Sequence, residues 1–261
     1  MRLTTRLTVL AASLSFVAST AIDAQSRYVV HDNPWGESAT IASGWNQAFG
    51  EGNWGTTNYA GADAGSIFSS GTRLVWLEGG DGSANTFNGF LITHRSTIET
   101  WVSNGGRLVL NAAPNVGGNI DFGFGGLTLN FGDSYGSNAV AVDAAHQVFN
   151  GPAGAIGTSF SGTAFSHAFV TGAGLDAILV DEYGRTVLGE LTFGAGRVLA
   201  GGMTTTNWHS PSPDAQNLNA NLLSYADLGA TTTVPEPSSM VLLAAGMLGL
   251  GVVARRKTTR A

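Results

Sequence analysis

His31 and Asp32 close a short β-prone run, Glu78 and Asp81 bracket a Gly79-Gly80 turn behind another, and Asn111 ends a third. In open α/β sheets ligands collect beyond the carboxyl ends of the strands, so these five residues, with Trp35 in the loop after Asp32, make up the expected ligand pocket. Carboxylates and a histidine gathered there could hold a divalent cation or supply acid and base groups. Glu78 with Asp81 or Asp32 could act as a glycosidase-like carboxylate pair. None of the spacings is diagnostic of such a site. Asp, Asn and Gly are also the ordinary residues of turns and caps, where side chains bond neighbouring backbone. No catalytic residue is therefore assigned, and Asp32, Glu78 and Asp81 stand as the alternative of a secreted hydrolase or metal-dependent enzyme.

Other chemistries are narrowed by what is missing. The chain has no cysteine, which removes thiolate mechanisms and disulfide staples alike. It contains no Gly-x-Ser-x-Gly elbow, no phosphate-cradling loop and no dinucleotide fingerprint. His94, His146, His167 and His209 lack metal-ligand spacing, and neither a metal nor a cofactor is expected. The 12 basic residues are scattered or terminal and the net charge is -6, so no nucleic-acid partner is expected. Charged residues make up only 11% of the chain and glycine numbers 37, a weakly charged surface carried by Ser, Thr, Asn and Gly. Trp35, Trp54 and Trp208 fall in loops with Asn, Gly and Thr neighbours, suited to stacking on sugar rings or to sealing the core.

The elements that must position these residues follow from hydrophobic period. Arg27 to Val30, Thr56 to Tyr59, Arg73 to Leu77 and Arg107 to Asn111 read as strands. Ile41, Trp45 and Phe49 keep four-residue spacing behind Ser38, a possible N-cap. Phe87, Phe90, Leu91, His94, Ile98, Trp101 and Val102 share one helical face, with Gly105 at the C-cap. Alternating strands and helices predict an α/β fold with a mostly parallel sheet flanked by helices. Gly-rich stretches around Ile120 to Phe131 and Ala139 to Val142 read as a β-hairpin insertion beside the sheet. Ile178 to Asp181, Thr186 to Leu191 and Arg197 to Ala200 form a strand series, and Asp214 caps a last helix through Leu218, Leu222 and Leu223. The glycine content leaves an all-β sandwich as the alternative.

The step from Trp101-Val102 through Gly105-Gly106 into Arg107 to Leu110, and the late Gly194-Ala195-Gly196-Arg197-Val198-Leu199 strand before a terminal helix, resemble class I glutamine amidotransferase-like and trehalose-utilisation-type domains. The resemblance spans about Tyr28 to Leu228 and implies a flavodoxin- or amidotransferase-like fold. Where the amidotransferases carry a cysteine nucleophile after a central strand, Asn111-Ala112-Ala113-Pro114 stands here, so cysteine glutaminase chemistry is not implied.

Both ends read as targeting segments. Arg2 and Arg6 precede the apolar Leu7 to Val17, with Ser19, Ala21 and Ala24 before a cleavage point, so residues 1–24 form an expected signal peptide for the Sec machinery and signal peptidase. Residues 25–230 are the cargo domain, 231–239 a linker, 240–254 a transmembrane helix and 255–261 a basic cytoplasmic tail. Met240 to Ala254 is 15 residues without a charge, about 22 Å of helix against a hydrocarbon core of about 30 Å, a short-lived hold rather than a lasting anchor. Basic residues beside a membrane segment stay in the cytoplasm, which leaves the domain outside. The order Val234-Pro235-Glu236-Pro237, apolar helix, then Arg255-Arg256-Lys257 resembles the PEP-CTERM sorting signal of Gram-negative bacteria. That resemblance implies export, transient inner-membrane anchoring, cleavage by an exosortase, and association with exopolysaccharide at the cell surface or in the extracellular matrix. The domain is then expected to be a non-catalytic binding module.

Overall fold

The computed structural model describes residues 26–32, 38–115 and 117–228. The signal-peptide segment, Trp35, and the linker, sorting motif, apolar segment and basic tail all lie outside the described residues. Among the described residues no helix is long and apolar enough to cross a membrane.

One sheet of 11 strands organises the chain. Strands β1 (Ser26–Val30), β2 (Gly55–Thr57), β3 (Thr72–Glu78) and β4 (Arg107–Asn111) pair in parallel. Helices α1 (Ser38–Phe49), α2 (Ala64–Ile67) and α3 (Ala84–Ser103) lie between them in the chain. Next come β5 (Ile120–Gly123), β6 (Leu127–Ala141), the small β7 (Asn150–Gly151) and β8 (Gly154–Ala155) pair, and β9 (Ser159–Thr171). The described residues finish with β10 (Asp176–Asp181), β11 (Thr186–Phe193), β12 (Gly196–Gly201), β13 (His209–Ser210) and α4 (Ser212–Asp227). Their order across the sheet is β13, β9, β6, β10, β11, β12, β4, β3, β1, β2, with β5 on β6.

Only β2, β1, β3, β4 and β12 run parallel; from β12 outward every pairing is antiparallel. The expectation of a mostly parallel sheet is thus corrected to a mixed one. The expected hairpin is present as the antiparallel β5–β6 pair, but it belongs to the sheet instead of standing beside it. Strands β6 and β9 are long members of the sheet itself, and β9, rich in Ser, Gly and Thr, carries no clean alternation by which to see it. Among the described residues, four helices over the two faces set aside the all-β sandwich.

Alternation along β3 shows how the faces divide. Val75 and Leu77 pack with Phe87, Phe90 and Ile98 of α3, whereas Leu74 and Trp76 pack with Ile41 and Trp45 of α1 and Leu218 and Leu222 of α4. Gly105, at φ 111°, ends α3 as expected, a conformation that costs a side-chain-bearing residue. Helix α4 begins at Ser212, ahead of the expected Asp214 cap. Asp214 sits in the first turn and accepts from Gly157 N at 2.7 Å.

An arginine stands first or second in four of the parallel strands, and the parallel register gathers Arg27, Arg73, Arg107 and Arg197 at one edge. They meet the carboxyl end of α4, where helix carbonyls concentrate negative charge. Arg27 makes a two-pronged contact with the Asp227 carboxylate, 2.9 Å on each arm, and Arg73 Nε donates to Asp227 O at 2.7 Å. Arg107 Nε donates to Leu228 O, and Arg197 lies over the Tyr225 ring. Burial and the neighbouring guanidiniums lower the Arg107 pKa.

Candidate functional site

Pairing of Glu78 with Asn111, and of Asn111 with Gly201, brings the carboxyl ends of β3, β4 and β12 abreast. The Asn111 amide donates to Met203 O at 2.8 Å and accepts from Met203 N at 3.1 Å, so it ties down the segment leaving β12. Glu78 is 5% exposed. Its Oε1 accepts from Gly80 N at 2.7 Å, and its Oε2 has no partner. Burial, with a smaller contribution from the Asp81 charge, raises the Glu78 pKa to about 8 against the lowering effect of the Gly80 bond, so the acid is protonated at neutral pH.

The other expected pocket residues serve neighbouring backbone and side chains. Asp32 Oδ1 accepts from Tyr59 N, and the Tyr59 hydroxyl donates to Glu78 O at 2.8 Å. His31 Nε2 lies 3.2 Å from the Thr56 hydroxyl, and burial lowers its pKa. Asp81, at φ 46°, holds the Asn115 amide and forms a bridge with Pro114. Of the five described members of the expected pocket, only Glu78 and Asn111 line a cavity under α1 and α4; His31, Asp32 and Asp81 do not. Of the three carboxylates of the enzyme alternative, Glu78 lines this cavity and Asp32 and Asp81 do not. Among the described residues no group of three or more His, Asp or Glu side chains could hold a metal ion.

That cavity, about 60 Å³, lies between the sheet and the α1–α4 pair. Trp76, Glu78 and Asn111 line it from the sheet, with Met203, Thr204 and His209 from the segment after β12. His209 is buried against the Phe165 ring, 4.1 Å between centroids. Its Nε2 lies 3.1 Å from Phe165 O, which can only accept, so this nitrogen carries the proton. Burial outweighs that bond and lowers the His209 pKa to about 4, which keeps the ring neutral. Outside the cavity is a polar groove of about 230 Å³, lined by Thr40, Ser43 and Gln47 from the α1 side and by Asn207, Gln216 and Asn219 from the α4 side. Gly44 makes room there for Asn219, whose amide would collide with any Cβ. Asn207 Nδ2 donates to Thr40 Oγ1 at 2.7 Å, and Trp208, the next residue, is 51% exposed. Trp54 instead packs on Trp45 and donates to Asn46, sealing the core.

Sequence reasoning gave His209 no role and did not find the groove. The available signal was the carboxyl-end rule applied to Arg197–Ala200, a strand that looks antiparallel until its pairing with β4 is seen.

Residues 233–257 match the PEP-CTERM protein-sorting motif. The motif implies an exported protein that an exosortase recognises and sorts to the cell surface. Among curated proteins no sequence matches the chain. Solved structures similar to it include a ThuA-like protein from Parabacteroides merdae, 16% identical, with 81% of this chain and 92% of that one covered and a TM-score of 0.44. A GMP synthase subunit from Thermoplasma acidophilum is 10% identical over 77% of this chain and 96% of its own, with a TM-score of 0.46. A β-galactosidase from Bacillus circulans is 12% identical over 79% of this chain, with a TM-score of 0.43; this chain spans 32% of its length.

Proposed function

We propose that this is a surface or matrix protein whose amidotransferase-like domain is a non-catalytic module binding uncharged glycan, exopolysaccharide above all. In this reading Sec and signal peptidase act at the amino end. Residues 240–254 hold the chain briefly in the inner membrane, and the exosortase cuts at the Pro-Glu-Pro site. The observation that carries the binding role is the α1–α4 groove. Its described lining is of hydroxyl and amide side chains without a charge, next to the exposed Trp208. Hydroxyls and amides match the hydrogen-bonding of sugar hydroxyls, and an aromatic face stacks on the apolar face of a pyranose. Affinity electrophoresis of the purified full chain through gels containing the host's exopolysaccharide tests it. Retardation that Trp208→Ala abolishes is expected, and unretarded migration in every neutral polysaccharide gel sinks the reading.

A hydrolase reading keeps one favourable observation, the buried protonated carboxyl of Glu78 with its free Oε2. Release of sugar from glycoside substrates by the native chain, lost in Glu78→Ala, would establish it in place of the binding role.

A further inference from the structure

The groove does not end at the surface. Thr40, Thr206 and Asn219 line both it and the inner chamber, so the two spaces share a wall and the chamber lies directly inward of the groove. A volume of about 60 Å³ exceeds the roughly 10–15 Å³ that one water needs, which leaves room for a group the size of a hydroxymethyl arm.

The polar groups of the chamber are selective in what they still lack. Asn111 is committed to Met203, and His209 Nε2 to Phe165 O and the Thr204 hydroxyl. Glu78 Oε2 and Trp76 Nε1, both buried, remain without partners. The indole N–H only donates, and with Oε1 taken by Gly80 N the carboxyl proton of Glu78 belongs on Oε2. Two donors without an acceptor call for an oxygen with lone pairs. Among the described residues no Lys or Arg lines the chamber to compensate a negative charge, and an unpaired carboxylate is costly to bury.

We infer that the chamber is a selectivity subsite of the groove, taking one uncharged hydroxyl-bearing arm of a glycan and rejecting a carboxylate arm at the same position. Glu78 and Trp76 are then specificity-determining donors. The inference rests on the glycan-binding reading of the groove.

The test uses the full chain and hexose oligosaccharides of several linkages, each paired with its C6-oxidised uronic-acid counterpart, with binding measured by calorimetry at pH 6.5. A neutral member is expected to bind at least about tenfold tighter than its oxidised partner. Ala215→Leu, which fills the chamber from α4, should weaken neutral binding and narrow that ratio, with Leu222→Phe as a second filler if the first fails to fold. Glu78→Gln, which keeps a donor without an ionisable proton, should preserve the ratio. Equal binding of the two members, or folded fillers that bind like the parent while Trp208→Ala abolishes binding, overturns the chamber and leaves the groove standing. Absence of binding by the parent chain to any member overturns both.

Discussion

At the amino ends of β1, β3, β4 and β12 stand four arginines, and at the carboxyl ends of three of these strands, β3, β4 and β12, stand a neutral carboxylic acid, an amide and a run of threonines. The amino edge spends its charge on structure. Asp227 pairs with Arg27 and Arg73, the last carbonyls of α4 accept from Arg73 and Arg107, and together they fasten the final helix across the sheet. Around the chamber at the carboxyl ends of β3, β4 and β12 the described lining carries no Lys, Arg or Asp, polar atoms are buried, and Trp76 Nε1 and Glu78 Oε2 stay unpaired. Comparing the two edges teaches that the cluster of formal charges in this molecule acts as a clamp, whereas the proposed binding site lies where polarity is neutral and unsatisfied.

Perturbing each edge separately can break that contrast. The largest effect is expected from Gly202→Ala, because a Cβ there would run into the backbone carbonyl of Ala168, which no side-chain rotation relieves. A loss of about 3 kcal/mol in chemical denaturation is expected, since overpacking against backbone must shift a strand. Next is Asp227→Ala, which strands Arg27 and Arg73 beside each other. About 2 kcal/mol should be lost, discounted from a fully buried pair because both arginines keep some solvent, with glycan binding unchanged. Loss of binding in a folded Asp227→Ala protein would show that the edges are not independent.

The carboxyl edge should show itself in the pH dependence of stability. Glu78 has its folded pKa raised from 4.5 to about 8, so the native state keeps a proton that the unfolded chain has lost, and stability falls as pH climbs between those values. His209 works in the other direction: its folded value near 4 lies below 6.5, and stability falls as pH drops from 6.5 toward 4. Between 4.5 and 6.5 the two slopes offset each other, which leaves a net decline between pH 6.5 and 8 of about 2 kcal/mol. Denaturation midpoints across that window should decline for the parent and stay level for Glu78→Gln. The smallest stability effect belongs to Trp208→Ala, within about 0.5 kcal/mol because the side chain is half exposed, paired with the largest loss of glycan retention.

Much of the scaffold was legible from period alone. The seven-residue apolar face of α3, its Gly105 terminus and the β1, β3 and β4 runs all emerge where hydrophobic spacing places them, because burial of one face is a local property of sequence. Glu78 and Asn111 could be picked out by the carboxyl-end rule. His31, Asp32 and Asp81 satisfy the same rule but lie off that cavity, since which side of a strand end a residue faces, and whether a nearby N–H claims it, depends on the packed neighbours. Strand β9 was hidden because Ser, Gly and Thr alternate with little contrast.

By itself the sequence determined the sorting motif at residues 233–257, the absence of thiol chemistry and the kinds of element along the chain, each a matter of composition, order or local spacing. Tertiary structure alone decided that Arg197–Ala200 runs parallel to β4, an alignment between residues some 90 positions apart that no local pattern encodes. That single pairing carries the Met203–His209 segment over Glu78, closes the chamber and lays Asn207 and Trp208 beside the groove. Long-range register, set by burial of both sheet faces at once, is what turns dispersed neutral residues into a site.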